Sequence, residues 1–180
     1  MNQLYKILML ILITFNSNAQ DTAKIKNKNI RILKVLKNPE SRGCSTFKIY
    51  QKIESIDKFD TYVVISVDRD KIELDENFKK FNIKNNQFIT TNIEVLNQVN
   101  GDNNYCTDAI RGQVKGLKQL KLINGVIKIR IVGEAGKDFL GNIPYTVEVI
   151  LKDAIFKEGS NKYNIEEIHW HEVFVNYLQG

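Results

Sequence analysis

The chain has 180 residues, 26 basic and 21 acidic side chains, a formal charge of +5 and 43% hydrophobic residues. That length supports one domain with a proper core and is too short for two comfortable ones. The basic excess is mild and mixed with acids through most of the chain, so it favours solubility and identifies no partner.

Residues 1–19 read as a secretory signal peptide: Lys6 precedes the apolar run Ile7 to Phe15, and Ser17-Asn18-Ala19 closes the segment with small residues at the recognition positions. The apolar run falls far short of the roughly 20 residues a helix needs to cross a bilayer, and no cysteine stands at the cleavage point, so neither a membrane span nor a lipid anchor is expected. Export to the periplasm or the medium follows as the expected localisation. Cleavage would leave roughly 160 residues, still one domain. Residues 20–29 are polar and lysine-rich without periodicity and read as a flexible leader, and residues 30–180 as a single β-rich domain.

Ile30 to Leu36 is a first strand candidate, stopped by Asn38-Pro39, because proline fixes its own backbone and biases its predecessor to extended geometry. The loop Glu40 to Gly43 delivers Cys44. Phe47, Ile49 and Ile53 then alternate with polar neighbours in a second strand, and Tyr62 to Val67 is a β-branched third. Asp75 suits a helix cap, and Phe78 and Phe81, three apart, predict a short helix over Glu76 to Asn82. Phe88 to Val99 fits both periods; its threonine and β-branched content favours a strand. Asn124-Gly125 predicts a two-residue hairpin turn, with Ile123 facing Val126 and Lys121, Lys128 and Arg130 on the polar face. Tyr145 to Phe156 and Ile165 to Tyr177 complete the strands, joined by a loop over Glu158 to Lys162. Seven or eight strands with short turns indicate a mainly β fold, an antiparallel β-sandwich with a small β-barrel as the alternative, carrying one short helix.

Both cysteines, Cys44 and Cys106, lie past the signal segment, and an even count in an exported chain predicts a disulfide. Closing so long a loop would stabilise the fold by about 4 kcal/mol in the chain-entropy picture.

The only two histidines stand in the sequence Glu167-Ile168-His169-Trp170-His171. Period-2 geometry puts Glu167, His169 and His171 on one strand face, a donor set that suits zinc or copper. The competing reading is an exposed face whose histidines meet water. Trp170 belongs on the opposite face and in the core, with sugar stacking as its less ordinary use. Val173 and Val175 make the histidine face apolar further on, which implies a bulge near Glu172.

Between Asp108 and Glu134 lie Arg111, Lys115, Lys118, Lys121, Lys128 and Arg130 and no acid. Lys121, Lys128 and Arg130 can meet an anionic glycan or an acidic protein; a solvated outer face is the bland alternative. Nucleic acid is disfavoured by the signal segment and by the lack of aromatics among these lysines. Enzyme signatures fail: Asp68-Arg69-Asp70 continues with Ile72 and Glu73 where a calcium loop needs an oxygen ligand and a glycine, Gly136-Lys137 lacks its first glycine at Ile131, and no Gly-X-Ser-X-Gly occurs. The expected function is therefore that of an exported, non-catalytic binding module without a cofactor, an inhibitor of another protein being one concrete form. The alternative is a metal-binding protein or metal-dependent hydrolase using the Glu-X-His-X-His strand.

Overall fold

The computed structural model describes residues 30–36, 41–44, 47–68, 71–97, 116–134 and 144–175. The chain divides into two units, Met1–Ile30 and Arg31–Gly180, and the sheet, apart from Ile30 at the start of its first strand, belongs to the second. The expected signal peptide and leader lie outside the described residues, as do Cys106 and the side chain of Cys44 that would pair with it.

Nine strands are described: β1 (Ile30–Ile32), β2 (Ser41–Cys44), β3 (Lys48–Ile56), β4 (Phe59–Val67), β5 (Lys79–Asn82), β6 (Ile89–Leu96), β7 (Gly116–Glu134), β8 (Tyr145–Glu158) and β9 (Asn161–Val175). They form one sheet in the order β1-β9-β8-β7-β6-β4-β3-β2, with β5 added alongside β7. The mainly β fold is as expected, but the two packed layers of a sandwich are not seen. A single sheet curls into a half-barrel around its own core. Its two ends approach: the Leu33 N–H donates to the Asn164 carbonyl of β9, while Val35 bridges to Ile53 of β3. At β2, a Cβ on Gly43 would stand 2.2 Å from the Phe174 carbonyl oxygen of β9, so only glycine permits that approach.

Alternation builds the core. Ile49 and Ile53, Val63 and Ile65, Ile93 and Val95, Ile127 and Ile129, Val147 and Val149, and Ile168 and Trp170 all point inward and are buried in one cluster. Each such side chain contributes about 1.5–3 kcal/mol relative to exposure. Polar neighbours between them face outward, where a smaller cluster of Tyr50, Tyr62, Val64 and Leu96 is also buried.

The expected hairpin at Asn124-Gly125 is not formed. β7 runs straight through it, pairing with β6 over Gly116–Lys121 and with β5 over Val126–Ile129 on one side, and with β8 along most of the other. A hairpin would pair the two arms with each other; pairing both with outside strands buries the apolar face of each. The left-handed freedom of Gly125 (φ 151°) serves a bend instead. There the core-facing positions of β7 switch from Leu120 to Ile127 and Ile129, those of β8 from Leu151 to Ala154, and those of β9 from Ile168 to Ile165. These switches lie side by side, since Val126 pairs with Lys152 and Lys152 with Glu167. Asp153 takes a positive φ of 51° in the same line, and a Cβ on Gly125 would come within 3.2 Å of the Ala154 Cα. The two-residue turn with both φ angles positive, the pattern expected of Asn-Gly, is found at Asp57-Lys58 between β3 and β4.

The expected helix over Glu76 to Asn82 is replaced by β5 and one 3-10 turn, Ile83–Asn85; no α-helix occurs among the described residues. Pairing with β7 satisfies the backbone, sends Phe81 toward the core and leaves Phe78 outside. Asp75 does cap, but in a turn: its carboxylate accepts the Asn77 N–H at 2.7 Å. No described helix is long and apolar enough to cross a membrane.

Candidate functional site

The outward face of β7, β8 and β9 carries two charged clusters, one on each side of the bend. The first is built on Glu148. Because Val147 and Val149 point into the core, Glu148 points out, yet Arg130 and His169 close over it and leave it buried. The Arg130 Nε donates to Glu148 Oε2 at 2.6 Å, and His169 Nε2 lies 2.6 Å from Oε1, donating when protonated there. His171 Nδ1 stands 4.0 Å from the same Oε1, and the two imidazole rings are 3.7 Å apart. The Arg130 guanidinium lies over the Phe78 ring at 4.6 Å, which fixes it further. Burial alone would raise the Glu148 carboxyl pKa; hydrogen bonds from His169 and Arg130, and then the charges of both, more than offset this and hold it below the ordinary value.

A bulge produces this convergence. Val147 pairs with Val173 but Val149 with Trp170, so His171 and Glu172 together oppose Glu148. The bulge expected near Glu172 is thus present. It turns His171 and Glu172 out to solvent, returns Val173 and Val175 to the core, and leaves Phe174 half exposed. Trp170 is a core residue, 2% exposed.

The second cluster is a row of lysines. Lys121 pairs across the sheet with Lys157, and Lys157 with Lys162, all three exposed and pointing away from the buried Leu120, Phe156 and Tyr163. The row continues to Asn92 on β6. None of the three lysines has an ion pair among the described residues. A second like-charged pair, Lys80 opposite Lys128, lies on the far side of the bend. Lys118, three residues before Lys121, behaves differently: it faces inward and its ammonium meets Asp57 at 2.9 Å and Glu158 at 3.1 Å.

The residues expected from sequence therefore divide. His169 and His171 do come together, but with Glu148 from the neighbouring strand; Glu167 is drawn to Lys152 at 2.7 Å, whose hydrogen bond holds its carboxyl below the usual range. Lys121, Lys128 and Arg130 do share the outward face of β7, but as points along a strand: Lys121 and Lys128 are roughly 20 Å apart at strand rise. Arg130 belongs to the Glu148 cluster. Arg111 and Lys115 lie outside the described residues. Sequence reasoning missed Glu148, Lys157 and Lys162. The signal was available in the short connection at Gly159-Ser160, because pairing Glu158 with Asn161 and counting outward brings Lys157 level with Lys162, and Glu148 level with His171.

Comparison with known proteins finds no matching family model, no matching curated protein and no matching solved structure.

Proposed function

We propose that the protein is an exported, non-catalytic binding module whose outward sheet face engages an anionic glycan. The observation that carries this reading is the row Lys121, Lys157 and Lys162, three cations on adjacent strands with no acidic partner among the described residues. Like charges directly opposite each other on neighbouring strands are destabilising. A face that keeps them is suited to a counter-charge supplied from outside. Strands about 4.8 Å apart give a row roughly 10 Å long, and lysine stems can adjust to the spacing of an extended polyanion. The surface there is open, so recognition would be electrostatic and salt-sensitive. Export is supported by residues 1–19 as read from sequence.

The test is titration of the protein with a sulfated polysaccharide at several salt concentrations, alongside a variant carrying Lys121→Ala, Lys157→Ala and Lys162→Ala. The parent should bind with an affinity that falls as salt rises, and the triple variant should lose most of it. Equal binding by parent and variant would reject the lysine row as the site. Binding to an acidic polypeptide with none to the polysaccharide would replace the glycan by a protein partner.

A further inference from the structure

We propose that Glu148, His169 and His171 bind one divalent transition-metal ion, with zinc or copper(II) the best match to their donors. Two imidazole nitrogens and one carboxylate oxygen form a borderline donor set that suits these ions and is poor for calcium or magnesium. Each residue offers one ligand atom, and the three atoms lie within 4.8 Å of one another. No other such group of three occurs among the described residues.

The distances bracket what a metal requires. Metal–ligand bonds of about 2.0–2.1 Å in tetrahedral geometry hold ligand atoms roughly 3.3 Å apart. Glu148 Oε1 is now 2.6 Å from His169 Nε2 and 4.0 Å from His171 Nδ1. Opening the first gap and closing the second, each by less than an ångström, and drawing together the imidazole nitrogens, which lie within 4.8 Å of each other, would place an ion among all three. Binding at His169 Nε2 would require the ring to carry its proton on Nδ1, so the hydrogen bond to the carboxylate would be given up as the ion takes its place.

The surroundings favour a site over a chance meeting of side chains. Arg130 occupies Oε2 of Glu148 and leaves Oε1 to the two histidines, and Phe78 packs on that guanidinium, so the carboxylate is oriented as an outer-shell partner orients a ligand. The β9 bulge puts His171 beside Glu148. His171 is 75% exposed at its side chain, so the ion would keep positions open to water, as catalytic and exchangeable sites do and closed structural sites do not. The Arg130 charge works against a cation, so the affinity should be moderate.

The experiment is calorimetric titration of the full chain with zinc chloride, with the histidine ring resonances followed by NMR. One equivalent should bind and should shift the signals of both His169 and His171. His171→Ala, at an exposed position, should weaken binding by about tenfold or more, as should Glu148→Gln, while Glu167→Ala should leave it unchanged. If Glu148→Gln does not fold, His169→Ala takes its place with the same expected loss. Absence of stoichiometric binding, binding that survives His171→Ala, or a loss on Glu167→Ala equal to that on His171→Ala would each overturn the proposal.

Discussion

On one sheet face, the Glu148 cluster and the lysine row show opposite solutions to the same problem of placing charge between apolar neighbours. At Glu148, one buried carboxylate is shared by a guanidinium and an imidazole, with a second imidazole nearby. At Lys121, Lys157 and Lys162, three ammonium groups stand in line with no carboxylate among the described residues. Both have the same cause, the pairing of β8 with its neighbours. Composition sets how many charges the face carries; register decides which of them meet. The paired cluster contributes to the fold, whereas the unpaired row costs stability and is free to act on something else.

The sharpest way to break this comparison is to remove the bend that separates the two regions. Gly125→Val would put a β-branched side chain at a φ of 151° and against the Ala154 Cα. A loss of about 3 kcal/mol is expected by chemical denaturation, from backbone strain and overpacking together. A loss under about 0.5 kcal/mol would mean that the bend does not depend on glycine. Next in size, Glu148→Gln should cost about 2 kcal/mol, because it leaves Arg130 and His169 without the charge they close upon. Glu167→Gln is the control: its pair with Lys152 is solvent-exposed on both sides and its removal should leave stability nearly unchanged. Equal effects at the two positions would show that burial does not distinguish them.

The lysine row predicts the opposite sign. Lys157→Glu places an acid between Lys121 and Lys162, so folding stability should rise by about 0.5 kcal/mol while polyanion binding falls. A variant that is less stable and binds as before would remove the link between the row's strain and its use.

Much of the strand content was legible because inward residues repeat every second position, as in Ile49 to Ile53 and Val147 to Leu151. The bulge was legible too, since Val173 and Val175 could be buried only if the strand slipped by one residue after Trp170. Two local signals misled for one reason. Asn124-Gly125 has turn chemistry, and Phe78 with Phe81 has helical spacing, but each lies beside β-strands that bury more apolar surface by pairing with it. Tertiary pairing overrode local preference in both. At the site, His169 and His171 could be found from spacing within one strand. Glu148 could not, because its place depends on how two strands align, and Glu167, the carboxylate on the same strand, is the one that alternation offers first.

The smallest effect concerns Lys118, whose pairing contrasts with that of Lys121 a few residues along β7. Burial alone would lower the Lys118 pKa, but hydrogen bonds to Asp57 and Glu158 and their charges raise it above 10.5. The Asp57 carboxyl is held below 3.8, first by the Lys118 hydrogen bond and then by its charge. The signs give two edges. A depressed carboxyl contributes stability in full above its unfolded value and loses it as pH falls through the folded one, so this part fades below about pH 4. A raised ammonium contributes in full below its unfolded value and loses it as pH rises through the folded one, above about pH 10.5. Lys118→Met should therefore lower stability between these limits, and its curve should converge toward that of the parent at both extremes. Lys121→Met, which removes a cation of the same strand that has no acid beside it, should change neither edge. Denaturation midpoints measured across the pH range decide this: parallel curves for the parent and Lys118→Met would mean that the Asp57 and Glu158 contacts contribute nothing to folding, and the contrast between paired and unpaired lysines on β7 would fail.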